Sequence, residues 1–269
     1  MKRIYLIACA LATLISAEAQ QKDGKVIYQR TSQTAARSFS FNGMEQTIPA
    51  STRKDKFELL FGNNQSLWKQ ADPENEPETT SFGSEGGGFQ FRSVVAGSND
   101  VMFCNFETSK RVEKREVFDK TFVVDDSIRP LKWKMTGETR MIQNHPCMKA
   151  TATNITQRTT MTMENGKMER KEVPDTATIV AWFASDIPVS AGPGEYQGQL
   201  PGLIMEMDIN NGRQTYSVLE LSTKVDLGSI KEPGGKKRYT QEEFRKEREK
   251  MLEQMNQNNS GGNRRIIMN

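Results

Sequence analysis

A single histidine sets the chemical limits of this chain of 269 residues. His145 stands in the run His145-Pro146-Cys147-Met148. One imidazole rules out a zinc site built on several, and neither H-E-x-x-H nor C-x-x-C spacing occurs. A serine or cysteine nucleophile would need His145 as its base, and no G-x-S-x-G elbow presents a serine. Cys147 lies two residues from His145 with Pro146 between them, an order that suits a turn better than a dyad. The carboxylate pairs Asp125-Asp126 and Glu242-Glu243 are of a kind common on surfaces. No catalytic residue is assigned, and the chain is expected to be non-enzymatic and to need no cofactor. Methionine is abundant, at 14 residues. Met161-Thr162-Met163 and Met205-Glu206-Met207 set pairs of thioethers on one face of a strand, and His145, Cys147 and Met148 add further soft donors. Such donors suit Cu(I), so a periplasmic copper-binding role is the alternative; the plainer reading is that strand methionines fill gaps in a core.

The segments that carry these residues begin after residue 19. Lys2 and Arg3, an apolar run over residues 4–15 and the small-x-small Ala17-Glu18-Ala19 read as a secretory signal peptide over residues 1–19, too short to span a bilayer. The mature chain is expected to be exported, to the periplasm or the outer-membrane periphery, and not to be membrane-spanning. Loss of the signal takes the formal net charge from +3 to +2, with a mildly basic end from Lys231 onward. That is too little positive charge, too loosely spread, for nucleic-acid binding. Cys104 and Cys147 remain in the mature chain. In an oxidising compartment such a pair reads first as a disulfide, the alternative being one buried and one partly exposed thiol.

Helical periodicity is nearly absent before residue 240. Short alternating segments rich in Val, Ile, Thr, Phe and Tyr predict strands at 25–30, 57–61, 101–106, 121–124, 176–183, 205–209 and 214–221. A hairpin is expected over 159–173 with Asn165-Gly166 at its tip. Residues 130–135 alternate so that Leu131, Trp133 and Met135 share one face, and Pro146 belongs at an edge or turn. Residues 73–88, rich in Glu, Pro, Ser and Gly, read as a loop, and the charged run 110–116 as a solvated hairpin. The fold class is mainly β: a bent antiparallel sheet or half-barrel over residues 20–230 with a C-terminal helix. Residues 231–257 hold a linker and that helix, opened by the capping box Thr240-Gln241-Glu242-Glu243. Its narrow stripe of Phe244, Met251, Leu252 and Met255 is expected to dock on the sheet, or else on a partner. Residues 258–269 are expected to be disordered.

One stretch has a specific look. Ala181-Trp182-Phe183, Asp186-Ile187-Pro188, Gly192-Pro193 and Leu200-Pro201-Gly202-Leu203-Ile204 resemble the signature of the GLPGLI family, secreted proteins abundant in Bacteroidetes. Residues 130–135, Glu138 and 147–150 are similar to that family's central segment. The resemblance implies a family and a compartment but no reaction. This chain departs from the pattern where Gln199 replaces the first glycine of the name motif, with Gly198 one place earlier.

Read physically, the prolines and glycines of this stretch make a stiff, irregular crossing between two strands. It is either a corner closing the sheet, a rim over an apolar cavity, or a catalytic loop. The second reading makes Trp133, Trp182, Phe183, Tyr196, Leu203 and Ile204 the candidate ligand-binding residues, with Gly192, Pro193, Leu200, Pro201 and Gly202 as structural signature. The partner would then be a lipidic small molecule. An outer-membrane protein, with the chain assisting an outer-membrane assembly or transporter, is the other expectation. A carrier needs an open cavity beside Trp133 and Trp182, whereas an assembly factor needs that space filled and an apolar patch exposed elsewhere.

Overall fold

The structure is a computed structural model and describes residues 21–41, 44–71, 79–82, 89–92, 100–117, 120–164 and 167–259. The strands, in chain order, are β1 (Gly24–Thr34), β2 (Arg37–Phe41), β3 (Met44–Ile48), β4 (Ser51–Gly62), β5 (Gln65–Gln70), β6 (Thr79–Phe82), β7 (Phe89–Arg92) and β8 (Val101–Asn105). There follow β9 (Lys110–Val117), β10 (Lys120–Ser127), β11 (Lys134–Ile142), β12 (His145–Glu164), β13 (Lys167–Ala184), β14 (Ile204–Ile209), β15 (Gln214–Ser222) and β16 (Arg238–Tyr239). The helix α1 (Gln241–Asn259) closes the order.

Twelve strands form one open sheet in the order β11-β12-β13-β14-β15-β1-β4-β5-β8-β9-β10-β16, while β2-β3 and β6-β7 are separate two-stranded pairs. Every pairing in the large sheet is antiparallel except β10 with β16. Tight turns give this meander its register. Asn63 and Asn64 both take positive φ (51° and 57°) between β4 and β5, as do Gln143 and Asn144 (48° and 66°) between β11 and β12. Such left-handed pairs match the twist of the strands they join. Pro146 sits just after the second of these turns, opposite Met141 of the edge strand, where a missing N–H does little harm. The β12–β13 hairpin keeps the expected register, with Glu164 opposite Lys167, although its Asn165-Gly166 tip lies outside the described residues.

Directly opposed residues in an antiparallel sheet share a face. Val26, Leu59, Trp68, Met102, Glu113 and Val124 therefore form one row across six strands on what we term the front face. Leu60, Leu67 and Phe103 form a row on the back. The back row is covered by residues 223–237, with Ile230 7% exposed against Leu60, Leu67 and Phe103. The front is covered in two places. At one end the 185–203 crossing packs on β1, β4, β5 and β13–β15, and at the other α1 seats Phe244 and Met251 on Phe122 and Val124. Fully burying side chains such as Leu59, Phe61, Leu203 and Ile204 contributes about 2 kcal/mol each.

Several expectations are corrected. Residues 110–116 are not a solvated hairpin but strand β9, inside the sheet between β8 and β10, with Glu113 4% exposed. Part of the expected loop 73–88 is β6, paired with β7; the rest of that span lies outside the described residues. Met135 is 46% exposed and does not share a buried face with Leu131 and Trp133, because the strand begins only at Lys134. Residues 231–237 are less a linker than a strap, since Gly235 lies close against Val123 and Glu232 pairs with Lys110. The capping box forms as expected: the Thr240 N–H donates to Glu243 Oε2 at 2.8 Å and the Glu243 N–H donates to Thr240 Oγ1 at 3.2 Å. The helix docks on the sheet and runs through Asn258 and Asn259, two residues into the span expected to be disordered. Residues 1–20, which hold the expected signal peptide, and residues 260–269 lie outside the described residues.

Candidate functional site

The crossing from β13 to β14 is pinned at both ends by backbone bonds. The Ala184 N–H donates to Leu203 O at 2.8 Å, Leu203 N–H to Ile187 O at 3.1 Å, and Ile204 N–H to Ala191 O at 3.0 Å. Gly202 lies so close to the chain that a Cβ there would stand 2.0 Å from Ala184 O. Gly198 takes φ +73°, supplying the turn that the shifted glycine of the motif left open. Gln199 then has work of its own, for its Oε1 accepts from the Leu131 N–H (3.1 Å) and from Trp133 Nε1 (3.0 Å). Gln197, 1% exposed, donates to Gly194 O at 3.0 Å and accepts from the Ser66 hydroxyl of β5. The Tyr28 hydroxyl donates to Ile204 O, and burial pushes its pKa up.

These contacts decide the fate of the candidate rim. Phe183, Tyr196, Leu203 and Ile204 are 6% exposed or less and belong to the main core, together with Leu200. Trp133 is half-buried and held by Gln199. Trp182 alternates with Phe183 along β13, which turns it to the back face, where the Arg140 guanidinium lies 4.2 Å over its ring. Gly192 and Pro193 are buried and Pro201 is exposed. The six residues form a packed corner rather than the mouth of a cavity.

The cysteines do not pair. Cys104 and Cys147 are free thiols, both buried. Cys104 lies on β8 and Cys147 on β12, with six strands between them in the sheet. That is roughly 30 Å measured along the sheet at about 4.8 Å per strand, far beyond disulfide reach. Burial pushes the Cys147 pKa up to about 11, with the Asp186 carboxylate adding to the rise. His145 Nδ1 lies 2.8 Å from Asp186 Oδ2. A histidine, an acid and a cysteine are thus near neighbours, but the thiol is held protonated, the reverse of what a nucleophile needs. Met205 and Met207 are core residues at 0% and 2% exposure, and the side chains of Met161 and Met163 lie outside those described. No cluster of three or more His, Cys, Asp or Glu with metal-holding geometry occurs among the described residues.

An open site lies elsewhere on the front face. A groove of about 190 Å³ is lined by Arg30, Phe57, Trp68, Gln70, Asp100, Val101, Met102, Glu113, Lys114 and Arg115. Its wall is an aromatic stack: the Phe57 and Trp68 rings lie 4.9 Å apart and 9° from parallel, with Tyr28 and Tyr216 packed behind Trp68. Two buried carboxylates fix its arginines. Asp55, 2% exposed, holds Arg30 and Arg53, each at 2.8 Å. Glu113 holds Arg111 at 2.9 Å and also pairs with Arg115. Arg30 lies 4.7 Å over Phe57, and Arg115 lies 5.3 Å over Phe244 of α1. Asp100 accepts from the Glu116 N–H at 2.9 Å, and burial raises its pKa above the usual carboxylate range despite that bond.

The comparisons meet this geometry at one end only. Residues 133–206 match the profile of a family described as a protein of unknown function (Porph_ging). The match is consistent with the expected Bacteroidetes family, without bearing the GLPGLI name or any function. It spans β11 to β14 and the whole crossing, and stops short of every groove residue. No curated protein matches the chain. Two solved structures of PNGF-II, in space groups C2 and P21, are distantly similar, at 15% and 16% identity with TM-scores of 0.49 and 0.46. They cover 84% and 81% of this chain, which spans about a third of the PNGF-II chain, 32% in each case. Likeness at that level says nothing about chemistry.

Sequence reasoning missed the groove. Its signal was the run 110–116, where charges alternate within an otherwise strand-forming region; Arg111, Glu113 and Arg115 fall on one face by period two. No pattern within the run reveals that Asp55 and Phe57 of a distant strand stand beside it.

Proposed function

We propose that this is an exported, non-enzymatic binding protein whose ligand site is the groove at Phe57 and Trp68, not the 185–203 crossing. One observation carries the reading: the crossing fills the space expected of a cavity, while the groove brings a buried aromatic stack to the surface among charged groups. The groove's size limits the ligand. About 190 Å³ is somewhat more than the roughly 150 Å³ of a cavity that takes one benzene, enough for a ring or a short chain and too little to enclose a diacyl lipid. Assistance in outer-membrane assembly finds less support. Among the described residues, the exposed large apolar side chains Met135, Met141, Ile155, Leu219 and Leu227 are spread over four elements. The copper alternative is weakened because Met205 and Met207 are buried as packing residues.

Native mass spectrometry of protein isolated from its own compartment, with organic extraction and elemental analysis, tests the reading. A small organic ligand is expected. A co-purified diacyl lipid or stoichiometric copper would contradict it.

A further inference from the structure

The charges around the groove do not cancel. Asp55 and Glu113 are each shared by two arginines, so each buried acid leaves surplus positive charge. Asp126 offsets part of this at Arg111, at 3.3 Å, but pairs with the exposed Arg129 as well. Of each arginine pair, one member lines the groove: Arg30 (29% side-chain exposure) and Arg115 (30%). Neither is free to turn away. Arg30 is held by Asp55 below and the Phe57 ring beneath its guanidinium, and Arg115 by Glu113 and the Phe244 ring. Lys114 also borders the groove, but it stands opposite Val101 and Val123, so its side chain leaves from the back face. Against these stands one acid, Asp100, whose burial favours its neutral form.

Two arginines fixed before any ligand arrives, one towards each end of the groove, are matched to oxygen anions, for which guanidinium is the planar donor. The apolar side of the groove, Phe57, Trp68 and Met102, is matched to a hydrocarbon body. Both ring faces of Phe57 are occupied, one by Trp68 and one by Arg30, so a sugar has no open face of that ring to stack on. Resting on the ligand-binding reading above, we infer that the groove takes a small organic carboxylate: an anionic head at Arg115, and one ring or short chain against Met102 and Trp68 on the neighbouring strands.

Calorimetric titration of the mature protein with three probes of nearly equal size tests this: 3-phenylpropionate, 3-phenylpropanol and 3-phenylpropylammonium. The carboxylate is expected to bind best and the ammonium worst. Arg115→Gln is expected to weaken the carboxylate by about tenfold, as for the loss of one hydrogen bond to a charged group. Asp100→Asn is expected to tighten it by about twofold, by removing the one opposing charge. Arg111 still pairs with Glu113 when Arg115 is replaced, and an asparagine in place of Asp100 keeps an oxygen for the Glu116 N–H, so both variants are expected to fold. If the alcohol or the ammonium binds as well as the carboxylate, the anion assignment falls while ligand binding stands. If the carboxylate binds but neither variant changes its affinity, the assignment to this groove falls. If none of the three binds, the ligand-binding reading falls with the inference.

Discussion

The two ends of the front face are closed by different chemistry. At the crossing, an irregular loop is locked by backbone bonds and by a buried amide, Gln197, and its apolar side chains complete the core. At the groove, five strands bring arginines and carboxylates onto the face beside an aromatic stack, and α1, seated on Phe122 and Val124, meets them at Arg115 through Phe244. The crossing lies within the stretch that matches a family of unknown function; the groove lies wholly outside it. A signature rich in Gly, Pro and aromatic residues thus marks where the fold is closed. The less conspicuous residues mark where it is open.

If that contrast is right, damage at the crossing acts on stability and damage at the groove acts on binding. Leu203→Ala, at a site with no exposure, is expected to cost about 3 kcal/mol in chemical denaturation. A loss under 1 kcal/mol would mean that the crossing is looser than its contacts imply. Gln197→Leu is expected to cost about 2 kcal/mol, because the Ser66 hydroxyl loses its partner inside the core. Restoring much of that loss by pairing it with Ser66→Ala would sharpen the assignment, since removing both groups leaves neither unsatisfied.

How much of this was legible in the sequence follows the range of the interactions. Most strand positions, the β12–β13 hairpin and the capping box depend on neighbours a few residues apart, and they were readable in period and composition. The fate of Trp182 also turned on period two: it alternates with Phe183, so the two cannot line one cavity. The cysteine pair failed because sheet order, which puts six strands between them, is a property of the whole meander. The groove was hidden for the same reason. Asp55 and Glu113 look like ordinary surface acids until β4 and β9 are placed three steps apart in the sheet, with both acids buried against arginines.

Smaller effects refine the picture at the groove. Thr240→Ala removes the helix cap and is expected to cost about 1 kcal/mol. It should fray the first turn around Phe244 and so loosen Arg115, seen as faster amide exchange in α1. Asp100→Asn is expected to change stability least, and in the opposite direction. Burial raises the folded-state pKa of Asp100 above the ordinary 3.8. Keeping it charged therefore costs stability above the folded value, and the cost vanishes as pH falls below 3.8. The variant should melt slightly higher than the native protein at pH 7, with the gap closing below that value. A lower melting temperature at pH 7 would mean that the bond from the Glu116 N–H outweighs the burial.

The central claim, a closed crossing and an open groove, meets its most direct test in the indole N–H signals of the mature protein. The chain has three tryptophans, one at the groove and two at the crossing. Titration with 3-phenylpropionate, followed by nitrogen–proton correlation NMR, reads all three at once. The account predicts that Trp68 shifts progressively while Trp133 and Trp182 stay in place. Movement of Trp133 and Trp182 with Trp68 unchanged would contradict it and return the ligand site to the crossing.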